Sequence, residues 1–222
     1  MAVIYSLLNF NLKMMGYYIF SYGIDANQVR QVFGSADAGL IERVEQNETF
    51  RGYAEDDWDD YDTDLEQALQ DIVRGNTLHD SANHIYGYAL IGICATLGKE
   101  LPHTQEIKLG YETDFINMAL ADDFGFKDFS IEDILFREHS AGFPIPAISD
   151  WPLIGLLKYE ELLQLKEKLD AAVITEEQID KLTASEEEEE EEKGYAYEHI
   201  RGIQENIDYC IRQKLDLISF CH

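Results

Sequence analysis

"GYYIFSYGI", residues 16–24, is aromatic and β-branched and carries no charged side chain. Its reading decides the fold. Such a run, closed by Asp25, is the pattern of a buried strand. At the far end of the chain "LDLISF", residues 215–220, alternates weakly and reads as a second strand. An apolar terminal strand needs a sheet to join, because unpaired backbone N–H and C=O groups are costly to bury. The N-terminal strand is its natural neighbour. The sequence between them is mostly helical in pattern. The expected fold is therefore α/β or α+β, a single domain of several helices around a small mixed sheet that includes the N- and C-terminal strands.

Working inward from the first strand, Asp25 is placed to cap a short helix "ANQVRQVFG" that ends at Gly34. A second helix starts near Asp37. Leu65, Ala68, Leu69, Ile72 and Val73 recur at helical spacing. Thr63-x-x-Glu66 reads as the capping box of that helix, and Gly75 as its stop. "SANHIYGYALIGICATL", residues 81–97, is apolar nearly all round and is expected as a central buried helix, with Gly87 and Gly92 admitting close neighbours. Residues 111–139 read as short mixed elements, with Ser130 as a cap. The proline-bearing "FPIPAISDWPL" reads as an ordered, extended crossing. "KYEELLQLKEKLDAAV" is an amphipathic helix, Thr175-x-x-Gln178 another capping box, and a last helix is expected from about Tyr195.

Two acidic stretches stand out. "DDWDDYDTDLEQALQD", residues 56–71, has no Lys or Arg. Counted as a calcium loop from Asp60 it puts Asp62, Asp64 and Asp71 in ligand slots. Leu65, however, occupies the position where such a loop needs glycine for its sharp turn. The helix beginning at Thr63 and the loop exclude each other, and the helix has the fuller pattern. The second stretch is seven consecutive glutamates, 186–192, which reads as a solvated acidic low-complexity insertion at 185–193.

The 222-residue chain has a formal net charge of −27 and 45 % hydrophobic residues. That content supports a real core, and the charge repels nucleic acid and anionic membranes while favouring basic partners. Seventeen Lys and Arg residues without a stripe give no phosphate-binding surface. Cys94, Cys210 and Cys221, without CxxC spacing, read as free thiols of a reducing compartment, so the expected location is cytoplasmic. The N-terminal "MAVIYSLLNFNLKMMG" lacks a cationic n-region and a small-residue cleavage site. Met14–Met15 before Gly16 raises a second start, with residues 1–14 as an N-terminal extension and 15–222 as the globular domain.

Several of these segments resemble the YfbM-like group of small uncharacterised bacterial proteins. They are "MGYYIFSYGID", "LEQALQDIVRG", "DWPLIGLLKYEELLQLKEKL" and the last helix entering "LDLISFCH". The resemblance implies one α/β or α+β domain in a bacterial cytosolic protein and carries no catalytic motif.

Chemical motifs are sparse. The histidines, His79, His84, His103, His139, His199 and His222, show no HxxxH or HExxH spacing and no Cys pair beside them. No metal and no cofactor is expected. Phosphate-loop, GxGxxG and GxSxG patterns are absent. His199 and Cys210 lie eleven residues apart on one helix, roughly 16 Å by rise and too far to form a dyad. No catalytic residue is assigned. The leading expectation is a non-catalytic, immunity-like acidic protein that binds and neutralises a basic protein partner through Glu55, Asp56, Asp57, Trp58, Asp59, Asp60 and Asp62. There Trp58 and Tyr61 either face the partner or pin the loop to the core. The alternative is a small-ligand enzyme with a pocket near Tyr88, Trp151 and Tyr159.

Overall fold

Strand β1, Tyr18–Ile24, pairs antiparallel with β4, Asp216–Cys221, from Ile19 opposite Cys221 to Ile24 opposite Asp216. In the computed structural model, which describes residues 16–55, 63–76, 83–136, 142–148 and 151–222, the two ends of the chain thus form the centre of the sheet. Strand β2, Ile107–Lys108, joins the outer edge of β1, and β3, Leu153–Leu157, the outer edge of β4. The order is β2-β1-β4-β3. All three pairings are antiparallel, so the sheet is not the mixed one expected, and the class is α+β.

Ten helices flank this sheet among the described residues. Helices α1 (Ala26–Val32), α2 (Ala38–Glu45), α3 (Glu48–Ala54), α4 (Leu65–Arg74) and α5 (Asn83–Leu97) precede β2. Helices α6 (Glu112–Asp122), α7 (Ile131–Leu135), α8 (Tyr159–Leu169), α9 (Glu176–Thr183) and α10 (Glu188–Gln213) follow it. The period-two alternation of strand side chains separates them into two cores. Ile154, Leu156, Ile218 and Phe220 face the first five helices, forming one apolar cluster. Leu157, Leu217 and Cys221 face the last five, forming another. On that second face Ser21 and Ser219 hydrogen-bond each other across the central pair at 2.8 Å, which satisfies both hydroxyls.

Local signals explain most helix starts. Asp25 accepts from the Asn27 and Gln28 amides, Asp37 from Leu40, and Ser130 from Asp133. Thr175 and Gln178 make the expected reciprocal box. Asp216 serves two helices, its carboxylate accepting from the Ala26 amide at 3.1 Å and the Tyr159 amide at 2.9 Å. One charge therefore fixes the starts of both α1 and α8, where the helix dipole favours it.

The cap of α4 is corrected by one residue. Asp64, rather than Thr63, accepts from the Gln67 amide, at 2.7 Å. Aspartate is at least as good a cap as threonine, and this start puts Leu65 directly into the core. Asp71, counted above as a calcium-loop ligand, is buried and accepts from Gln67 Nε2, Asn76 Nδ2 and Tyr86 Oη. It ties α4 to α5.

Helix α5 is the buried centre of the first core, with Ile85, Tyr86, Leu90, Ile91, Ile93 and Cys94 all shielded from solvent. A Cβ at Gly92 would lie 2.5 Å from the Phe50 ring, so the glycine is what lets α3 approach. Four elements were not read from the sequence, the two-residue β2 among them. Helix α3, capped by Asn47, occupies a stretch that looked merely polar. Helix α6 lies where short mixed elements were expected, and β3 follows the proline-bearing crossing. Gly155 in β3 permits contact with the α7 end, since a Cβ there would sit 1.6 Å from the Leu135 carbonyl oxygen. Among the described residues no helix is long and apolar enough to cross a membrane.

Candidate functional site

Helix α10 begins at Glu188, inside the glutamate run, and not near Tyr195. Four glutamates occupy its first turn, where the macrodipole favours negative charge. That start brings Glu188, Glu191, Glu192, Tyr195, Ala196 and His199 onto one stripe, at i, i+3, i+4, i+7, i+8 and i+11. The stripe faces the beginning of α6. A turn there, with Gly110 at φ +80° and its amide bonded to Thr113 Oγ1, delivers Tyr111, Glu112 and Phe115 opposite the stripe. Together these residues line a half-open cavity of about 250 Å³.

Its walls are held by their own hydrogen bonds. The Tyr111 phenol donates to Glu192, and the Tyr195 phenol donates to Glu191 at 3.0 Å. Glu112 accepts from the Lys108 amide at 2.6 Å. Donation to Glu192, followed by burial, pushes the Tyr111 phenol up to about 12, so it remains a donor at neutral pH. Burial alone would raise the Glu112 carboxyl. The His199 ring, the Lys108 amide and the Lys108 charge outweigh it and hold the group below its ordinary value.

Of the polar side chains that line the cavity, His199 lies deepest, 1 % exposed. Its Nε2 lies 3.5 Å from Glu112 Oε2, near enough for attraction but without hydrogen-bond geometry, and neither ring nitrogen has a hydrogen-bond partner. A buried polar group left unsatisfied costs about 1–3 kcal/mol, so the ring brings unmet hydrogen-bonding capacity to the cavity wall. Behind it the His103 ring meets it edge-on, centroids 5.9 Å apart. Asn206 fixes His103 by accepting from its amide and donating to its carbonyl, both at 2.9 Å. Burial, then the adjacent His199, lowers the His103 pKa. His103 lines a second hollow of about 200 Å³ beside Ser21 and Asn206, whose carboxylates, Glu100 and Glu106, are exposed.

Chemically, the α6–α10 cavity offers carboxylates, aromatic faces and an imidazole. It offers no Ser, Thr or Cys nucleophile in its wall. Among the described residues no three His, Cys, Asp or Glu side chains converge to hold a metal ion. All three cysteines are free and buried, and burial pushes each thiol up.

The residues singled out from the sequence are placed as follows. Asp56, Asp57, Trp58, Asp59, Asp60, Tyr61 and Asp62 lie outside the described residues. Glu55 caps the end of α3 and lines a shallow depression with Glu45, Arg51 and Glu66. The alternative trio occupies three different surroundings. Tyr88 stands in an aromatic group with Tyr53 and His222, and Trp151 stacks on Tyr17 at 3.6 Å. Tyr159 lines an open groove with Asp25, Arg30 and Lys214. The α6–α10 cavity was missed because the helix was begun at Tyr195. Carrying its 3.6-residue period back through the glutamates would have shown the stripe.

No curated protein and no solved structure matches the chain. A family profile does match it, over residues 15–222. That match spans both strands of the central pair and every residue of the cavity, and by it the chain belongs to the family described as Domain of unknown function (DUF7691).

Proposed function

We propose that the protein is a non-catalytic binding protein of the bacterial cytoplasm, immunity-like in action, which occupies and neutralises a basic protein partner. The observation that carries this reading is the α6–α10 cavity, where four carboxylates and three aromatic rings surround a buried imidazole without a hydrogen bond. Against them stand Lys108, over the Tyr111 ring at 5.9 Å, and Lys193, paired with Asp123 at 2.7 Å. With a chain charge of −27, the local field attracts cations and steers a basic partner in, raising the association rate at low salt. The acidic segment with Glu55, Asp56, Asp57, Trp58, Asp59, Asp60 and Asp62 is a second contact in this proposal, and the kinship with the YfbM-like group remains part of it.

The test is a capture experiment on tagged protein in its host lysate, eluted at low and then high salt. It is run beside an E188Q/E191Q/E192Q variant and a D56N/D57N/D59N/D60N variant. A basic protein retained by the wild type, released by salt and lost from the first variant supports the reading. A partner held equally by both variants contradicts it. The second reading, a small-ligand enzyme, draws on the Glu112–His199 pair, which resembles a carboxylate-oriented general base. A metabolite that raises the melting temperature and is turned over would favour it.

A further inference from the structure

We propose that the α6–α10 cavity takes one guanidinium group, that of an arginine side chain on the partner; this rests on the binding reading above. The cavity volume, about 250 Å³, falls just below the range of small-molecule pockets, roughly 300–1,000 Å³, and suits a single side chain rather than a cofactor. Acceptors face it from two elements, Glu112 on α6 and Glu191 and Glu192 on α10, with His199 at depth. A guanidinium has five N–H donors in a plane and can serve several such acceptors at once. An ammonium has three donors and a tighter hydration shell, so entering a half-buried site costs it more.

The aromatic content points the same way. Tyr111 and Phe115 meet edge to face with centroids 5.3 Å apart, and Tyr195 stands on the opposite helix. A planar cation stacks on such rings, and Tyr111 already carries the Lys108 ammonium over it. The phenol donors hold Glu191 and Glu192 in place before the ligand arrives, which lowers the ordering cost of binding. His199 is the selective element. Its ring is 1 % exposed with both nitrogens unbonded, so a ligand N–H that donates to the unprotonated one satisfies that acceptor, a gain that a shorter ammonium on the rim does not make.

The experiment is calorimetric titration of the full chain with acetyl-Gly-Arg-Gly-amide, acetyl-Gly-Lys-Gly-amide and methylguanidinium at one low ionic strength. The arginine peptide is expected to bind at least tenfold more tightly than the lysine peptide. E112Q and E192Q should each weaken it by fivefold or more, while K108M, which removes the competing cation, should strengthen it. E112Q acts at the stability of the site as well, so E192Q on the exposed end of the helix is the independent variant. Equal or tighter binding of the lysine peptide overturns the guanidinium assignment and leaves the cation reading standing. Methylguanidinium binding more tightly than the peptide overturns the side-chain source. Absence of all three overturns both proposals.

Discussion

His199 and Glu112 stand 3.5 Å apart, Nε2 to Oε2, across the gap between helices α10 and α6, with the ring almost wholly buried and the carboxylate half-buried. The pair links a sequence feature to a site. A turn at residues 108–111 presents the carboxylate, and a helix started by glutamates carries the imidazole eleven residues further on. The contact leaves both His199 ring nitrogens without a hydrogen bond, and the proposed binding draws on that residual demand.

E112Q should destabilise the fold by about 1 kcal/mol near neutral pH, because it removes the charge beside a buried ring and weakens an acceptor for the Lys108 amide. The pH dependence has a fixed sign. The folded carboxyl lies below its ordinary value of 4.5, so its contribution is present above that value and fades as pH falls through the folded one. Urea unfolding of the wild type and E112Q between pH 7 and 3 should show a stability gap that closes below about 4.5. A gap constant with pH would contradict the assignment.

G202A should cost about 1–3 kcal/mol, as overpacking does. A Cβ there would lie 2.2 Å from the His103 ring, and Asn206 grips both backbone groups of His103, so the ring cannot simply swing away. In the wild type His103 should titrate below the ordinary 6.5. Its stabilising contribution is then complete above 6.5 and lost as pH falls through the lower folded value. Proton NMR of the ring checks the direction, and denaturation checks G202A. An unchanged midpoint would show that the packing is looser than described.

Y86F should destabilise by about 1–3 kcal/mol, since it takes a hydroxyl donor at 3.1 Å from the buried Asp71 carboxylate. Circular dichroism melts will register it. A neutral result would mean that Gln67 and Asn76 alone satisfy Asp71.

Cys94, Cys210 and Cys221 should resist a thiol reagent in the native protein and react promptly in denaturant, because each is buried and its thiolate disfavoured. Fast native labelling of Cys94 would mean that the first core opens readily.

Much of this architecture was legible. The terminal strands announced themselves by composition and by the need of an apolar chain end for a partner. Asp25, Asp37, Gly75, Ser130 and Thr175 marked helix ends because capping is local chemistry that needs no tertiary information. Helices α3 and α6 were not, since only Phe50 is buried in the first, and the second mixes its acids with apolar residues on two sides. β3 is short and both faces are covered, so it shows no alternation. Repulsion within the glutamate run hides the cavity from the sequence. Seven like charges look like a solvated loop until the helix dipole and two tyrosine donors, one from another helix, are available to hold them.

The most direct measurement follows the His199 ring nitrogens by long-range nitrogen–proton NMR while acetyl-Gly-Arg-Gly-amide is added. Occupation of the cavity predicts a saturable shift of the His199 signals, larger than that of any other histidine ring, and its loss in E192Q. Unmoved His199 resonances at peptide concentrations that saturate the calorimetric signal would place the cation elsewhere and contradict the account.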